Sequence, residues 1–223
     1  MESTYIKMLI PISKVFECLK EHSIHIQGVL HVGAHKCEEM PMYQSVGINP
    51  DQTDWIEANP ELVQYGIDRG IRIYNAAISD KEEYVEFKIT NNGESSSLLD
   101  FGTHAQSYEW CKVIKTINVR TQTLENVIRK HSIPIYKRNF WNLDIQGVEL
   151  SALRSAGHFI DSADAIYSEV NTQEVYKKCG LLSEMDAFLE EKGFARKLTT
   201  MTSEGWGDAL WVRARPHITY NII

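Results

Sequence analysis

The sequence predicts an α/β fold: a mostly parallel sheet with helices on both faces, closed by an antiparallel hairpin. Three observations predict it. The short apolar run Val29-Leu30-His31-Val32 breaks at Gly33-Ala34 and leads into a helical pattern, as a buried parallel strand feeding a helix does. Strand and helix patterns then alternate along most of the chain, a rhythm that builds parallel sheets. The last two strand patterns, 194–201 and 208–213, are separated only by Thr202-Ser203-Glu204-Gly205-Trp206-Gly207, so they pair antiparallel.

Taken in order, residues 11–22 put Ile12, Val15, Phe16 and Leu19 on one face, with Ser13 near the start. This is a packing helix with no chemical role. The opening strand, 28–33, leads to a helix over 37–46, and the turn-rich 47–51 closes the first unit. His31, mid-strand among apolar residues, reads as a core histidine. A second strand, 53–57, ends at Glu57-Ala58-Asn59-Pro60. Pro60 suits the first turn of a helix running to Ile67, with Gly66 and Gly70 marking its end. The third strand, 71–74, runs into Asn75-Ala76-Ala77-Ile78-Ser79-Asp80, whose small residues leave room for a flat ring or simply form a tight turn.

Residues 84–90 alternate and read as a strand outside the βα rhythm. A turn at 91–94 precedes Ser95-Ser96-Ser97-Leu98-Leu99, too polar for a core strand and placed in a loop over the sheet edge. Another strand, 114–121, and a helix, 124–131, follow. The alternation resumes with a strand at 139–145, a helix at 148–156, the fifth core strand at 163–170 and a helix at 183–192.

The Gly33 turn is the first candidate for binding. A glycine lets a ligand approach the backbone, and a helix N-terminus offers N–H groups and a positive dipole end. Glu57 lies 24 positions after Gly33, where an acidic residue binds ribose hydroxyls in this type of fold; a solvated loop carboxylate is the alternative. Gly33, Glu57, Ala77 and Asp144 all fall at predicted carboxyl ends of parallel strands, where open α/β sheets bind ligands. The dinucleotide pattern G-x-G-x-x-G is incomplete, with only Gly33 present. That, the acidic second-strand end and the closing hairpin favour S-adenosylmethionine over NAD, because it has no pyrophosphate to cradle.

Composition narrows the function classes. A 223-residue chain with 43% hydrophobic and 24% charged residues is expected to be a soluble globular protein. The formal net charge of -7 argues against nucleic acid as a partner. No run is long and apolar enough for a membrane span, and the start lacks the build of a signal peptide. Cys18, Cys37, Cys111 and Cys179 are scattered without metal-type spacing, which reads as reduced thiols in a cytoplasmic protein.

Several segments together carry a family resemblance. They are Val32-Gly33-Ala34-His35, Glu57-Ala58-Asn59-Pro60, Asn75-Ala76-Ala77-Ile78-Ser79-Asp80, Ser95-Ser96-Ser97-Leu98-Leu99, Asn142-Leu143-Asp144-Ile145-Gln146-Gly147-Val148-Glu149, Glu169-Val170-Asn171-Thr172 and Trp206-Gly207-Asp208-Ala209-Leu210. In this order they resemble the FkbM group of S-adenosylmethionine-dependent methyltransferases. One departure is Cys37, where that family usually has glycine; it is expected to narrow the space near the cofactor's carboxyl end.

The resemblance implies a Rossmann-like class I methyltransferase with a seven-stranded sheet. Residues 1–27 would be an N-terminal helical extension and 28–223 the methyltransferase domain. It implies S-adenosylmethionine bound by Gly33, Ala34, His35, Glu57, Ala58, Asn59, Ala77 and Asp144. The expected reaction is methyl transfer to a hydroxyl of a sugar or glycan. Methylation of another small hydroxyl or an amide nitrogen, or a non-catalytic S-adenosylmethionine-binding module, are the alternatives. Asp144 and Glu169 are the candidate catalytic carboxylates, with His104 as base or hydrogen-bond donor. Asp144, Glu169 and Asn171 resemble the metal set of metal-dependent O-methyltransferases, which would suit magnesium; a metal-free base is the other reading. Ser97, Asn171, Trp206 and Asp208 are the candidate acceptor contacts. For Trp206 a plug at the sheet edge is the plainer alternative.

Overall fold

The computed structural model describes residues 8–214. In chain order its first elements are α1 (Ile12–Glu21), β1 (Val29–Val32), α2 (Met40–Ser45), β2 (Thr53–Glu57), α3 (Pro60–Ile67), β3 (Ile73–Asn75) and β4 (Ala77–Ile78). Then come β5 (Tyr84–Thr90), α4 (His104–Ser107), β6 (Val113–Gln122), α5 (Leu124–Lys130), β7 (Phe140–Leu143) and α6 (Glu149–Arg154). The chain ends in β8 (Ala165–Asn171), α7 (Leu182–Glu191), β9 (Phe194–Met201) and β10 (Trp206–Arg213).

Seven strands form one sheet in the order β3-β2-β1-β7-β8-β10-β9. The first five are parallel, and β10 runs antiparallel to both β8 and β9. Every residue of β1, β2, β7 and β8 is buried, as strands covered on both faces must be. Alternation divides their side chains. Leu30, Val32, Ile56, Trp141, Ile166 and Trp211 pack with α5, α6 and α7 on one face. Val29, Trp55, Phe140, Tyr167 and Leu210 pack with α1, α2 and α3 on the other. Val15 and Leu19 of α1 are fully buried there, each contributing about 1.5–3 kcal/mol.

The helix after β1 begins three residues later than the sequence pattern suggests. His35 (φ 43°) and Cys37 (φ 60°) are left-handed, so the chain makes a tight excursion before α2 starts at Met40. Its short length removes the expected helix N-terminal site: the His35 N–H instead donates to Glu57 and the Cys37 N–H to the Ala34 carbonyl.

The strands outside the βα rhythm form a second sheet, β4-β6-β5. Ala77 belongs here. It does not end the third strand, which stops at Asn75; it opens β4, which pairs in parallel with β6. The 91–112 connection between β5 and β6 folds back over the carboxyl ends of the main sheet.

Candidate active site

A cavity of about 430 Å³ lies over the carboxyl ends of β1, β2, β7 and β8, roofed by the β5–β6 connection. Of the residues singled out in the sequence, Gly33, His35, Glu57, Ala58, Asn59, Ala77, His104, Asp144, Glu169, Trp206 and Asp208 line it. Ala34, Ser97 and Asn171 do not. Ala34 is buried in the core beneath the sheet. The Ser97 hydroxyl turns away to donate to the Gln146 carbonyl at 2.7 Å. Asn171 is fully buried, and its side-chain atoms make no hydrogen bond among the described residues.

At one end, the Gly33 turn brings β1 against β7. A Cβ on Gly33 would lie 1.7 Å from the Asp144 carbonyl oxygen, and its φ is +98°. Glycine is therefore needed for this crossing as well as for any ligand. Glu57 accepts from the His35 N–H at 2.9 Å and the Asn59 N–H at 2.7 Å. These bonds fix its carboxylate at the cavity wall, while burial pushes its pKa up against them. Asn59 caps α3 by accepting from the Glu61 N–H. Ile56, Leu62, Ala76, Ala77, Ile78 and Phe87 add an apolar slot. Cys37 is not part of it: its left-handed backbone turns the thiol into the core, where burial raises its pKa to about 12.

The centre is a carboxylate pair held by an amide. Gln146 donates through Nε2 to Asp144 Oδ1 at 2.6 Å and to Glu169 Oε2 at 2.8 Å. Its Oε1 accepts from the Tyr176 hydroxyl. Burial first, then the charges of Asp144, Glu149 and Asp208, push Glu169 well above the usual carboxylate range; the Gln146 bond opposes this. Glu149 accepts from the Ile145 and Gly147 N–H groups beneath the pair, and burial raises it to about 7.

The other end is aromatic. His104 stacks on Phe101 with centroids 4.3 Å apart and packs against Tyr108 and Tyr176. Its Nε2 lies 3.3 Å from Ser95 Oγ, and its buried Nδ1 has no hydrogen-bond partner among the described residues. Burial lowers its pKa and so favours the neutral ring. Trp206, the first residue of β10 rather than part of the turn, donates to the Tyr108 hydroxyl at 2.8 Å. Trp110, half-exposed, stands at the mouth. Asp208 accepts from the Leu9 N–H at 2.6 Å and from the Tyr167 hydroxyl, so it anchors the segment before α1, and Leu9 becomes part of the wall.

Gln146, Tyr108, Tyr176, Glu39 and Leu9 were not singled out in the sequence. Gln146 lies two residues from Asp144 and carried the clearest signal. The others come from segments with no periodicity pointing to a strand end.

The proposed metal set does not converge. The Gln146 amide, a donor, bridges the carboxylates where a cation would need acceptors, and Asn171 does not line the cavity. Among the described residues, the close group of possible ligands is His35, Glu38 and Glu94, whose atoms lie within 4.8 Å of one another.

A mostly parallel sheet ending in an antiparallel hairpin, with its cavity at the strand ends beside an acidic β2 terminus, is the Rossmann-like architecture of S-adenosylmethionine-dependent methyltransferases. The model of the methyltransferase FkbM domain matches residues 31–195, and the chain belongs to this family. No curated protein matches it.

Similar solved structures include magnesium protoporphyrin IX methyltransferase from Synechocystis PCC 6803 with bound SAM. It is 11% identical, with a TM-score of 0.49, over 91% of this chain and 77% of that one. An S-adenosylmethionine-dependent methyltransferase from Clostridium acetobutylicum is 6% identical, with a TM-score of 0.48, over 91% and 90% of the two chains. Among the described residues no helix is long and apolar enough to cross a membrane.

Proposed function

We propose that this methyltransferase transfers a methyl group from S-adenosylmethionine to a hydroxyl of a sugar or glycan. The observation that carries the proposal is the single cavity that joins the Glu57 end to the aromatic end through Asp144. Glu57 would take the ribose hydroxyls, the Ala76-Ala77-Ile78 slot the adenine ring, and the Gly33 and Asp144 region the methionine end. When bound, the cofactor supplies a methyl group already activated on sulfonium.

The chain's own residues then have three tasks. The wall formed by His104, Tyr108, Trp110 and Trp206 offers flat faces and polar tips to a sugar ring, and it excludes water. Asp144 would accept the hydroxyl proton as the acceptor oxygen takes the methyl carbon, whose bond to the sulfonium sulfur would break and leave its electron pair on a neutral thioether. Gln146 holds Asp144 and Glu169 at fixed orientation for that transfer.

Incubation of the full chain with labelled S-adenosylmethionine and a panel of glycans and nucleotide sugars, read by mass spectrometry, tests the reading. A gain of one methyl on oxygen supports it. Labelling confined to nitrogen, or absent from every glycan, contradicts it.

A further inference from the structure

Two carboxyl groups meet over the carboxyl ends of β7 and β8, and the fold gives them unequal surroundings. Gln146 Nε2 donates to Asp144 Oδ1 at 2.6 Å and to Glu169 Oε2 at 2.8 Å. The two oxygens are thus no further apart than those bonds laid end to end. Glu169 also stands directly opposite Asp208 in the antiparallel β8–β10 pair, where like charges on facing residues repel. Glu149, beneath the pair, is a third neighbouring carboxyl group. Glu169 meets all three while only 8% exposed. In such a buried group of carboxyls one member keeps its proton. Glu169 is placed to be that member, because burial first and then those three charges work against its ionised form.

The Gln146 amide decides which oxygen carries the proton. Nε2 is a donor, so Oε2, which accepts from it, cannot also point a hydrogen at it. The Tyr176 hydroxyl donates to Gln146 Oε1 and keeps the amide that way round. The proton falls to Glu169 Oε1. That oxygen makes no hydrogen bond among the described residues, and Glu169 lines the cavity.

We infer that Glu169 works as a neutral carboxylic acid, donating a hydrogen bond from Oε1 to the oxygen next to the hydroxyl that Asp144 deprotonates. This rests on the methyl-transfer reading above. Carboxyl groups that share one amide nitrogen are spaced for neighbouring oxygens, so the acceptor presents two oxygens on adjacent carbons, as a sugar diol does. One faces Asp144, and the other accepts from Glu169. The hydroxyl proton goes to Asp144, and Glu169 keeps its own proton throughout. Its hydrogen bond fixes the acceptor against Asp144 and selects which hydroxyl is methylated.

The test has a ligand-free arm and a kinetic arm, both on the full chain. The first is carbon-13 NMR at pH 7 on protein labelled at the glutamate carboxyl carbons. The Glu169 signal is the one missing from Glu169→Gln or, should that variant not fold, from Glu169→Asp. The inference expects this carbon at the chemical shift of an unionised carboxyl; an ionised signal overturns it. The second arm takes the glycan that the panel above shows to be methylated. Glutamine at 169 is neutral and can both accept from Gln146 and donate into the cavity. Glu169→Leu should therefore lower kcat/KM about tenfold or more beyond the loss in Glu169→Gln. The deoxy analogue that lacks the neighbouring oxygen should lose a similar factor with the native protein. Equal losses in the two variants, or an undiminished deoxy analogue, overturn the inference. Failure of the native protein to methylate any glycan counts instead against the methyl-transfer reading, and the NMR arm still decides the state of Glu169.

Discussion

Asp208 accepts hydrogen bonds from the Leu9 N–H and the Tyr167 hydroxyl, yet burial pushes its carboxyl up to about 7. Its ordinary value is 3.8, so between these values the unfolded chain is ionised while the folded one holds a proton. The stabilisation is complete below about pH 4 and is lost as pH rises through about 7. Melting temperature should therefore fall between pH 4.5 and 7.5, and Asp208→Asn should flatten that slope. Unchanged slopes in thermal scans would show that Asp208 is not the titrating group. Asp144 has a different task. Asp144→Asn should lower kcat by about 10²–10⁴, as loss of a general base does, with little change in acceptor KM. A rise confined to KM, with kcat unchanged, would make it a binding residue only. Asp144 was legible in the sequence because it ends an apolar strand. The anchoring task of Asp208 was not, because its partner Leu9 lies 199 residues away in sequence.

Among the elements, the turn after β1 and the β5–β6 connection do different work. Gly33 cannot take a side chain without displacing the Asp144 carbonyl. Gly33→Ala should therefore cost more than about 3 kcal/mol in denaturant unfolding; a near-neutral result would mean that β1 and β7 do not cross so closely. The 91–112 connection instead carries Trp110 to the mouth and His104 into the aromatic wall. Trp110→Ala should raise acceptor KM severalfold and leave cofactor affinity intact; an equal loss of both in binding assays would place it at the cofactor end. The core strands were readable because they are short and largely apolar, and β1 is bounded by Gly28 and Gly33. The helix after β1 was misjudged because left-handed backbone at His35 and Cys37, neither of them glycine, left no mark in the apolar pattern. Ala77 was misplaced for a related reason: Ile73 to Ile78 is a continuous apolar-to-small run, and the kink at Ala76 that divides β3 from β4 depends on Ala76 bonding back to Glu57.

At the scale of the whole molecule, five parallel strands bring Gly33, Glu57, Asp144 and Glu169 to one edge from positions spread over more than half the chain. This convergence follows from the βα alternation, which is why the fold and the Glu57 end of the cavity could be read from sequence. The aromatic end of the cavity is assembled from the β5–β6 connection, the β10 terminus and the segment before α1. The connection and the segment before α1 carry no periodic pattern, so Tyr108 and Leu9 were missed; Ser97 and Asn171, expected as acceptor contacts, lie outside the cavity lining. Everything proposed here depends on the Glu57 end seating S-adenosylmethionine. Calorimetric titration of S-adenosylmethionine into the native chain and into Glu57→Ala tests this most directly. The account predicts one-to-one binding to the native protein and affinity about tenfold or more weaker in the variant, from loss of hydrogen bonds to a charged group. No heat with the native protein, or equal affinity for a variant that remains folded, would contradict it.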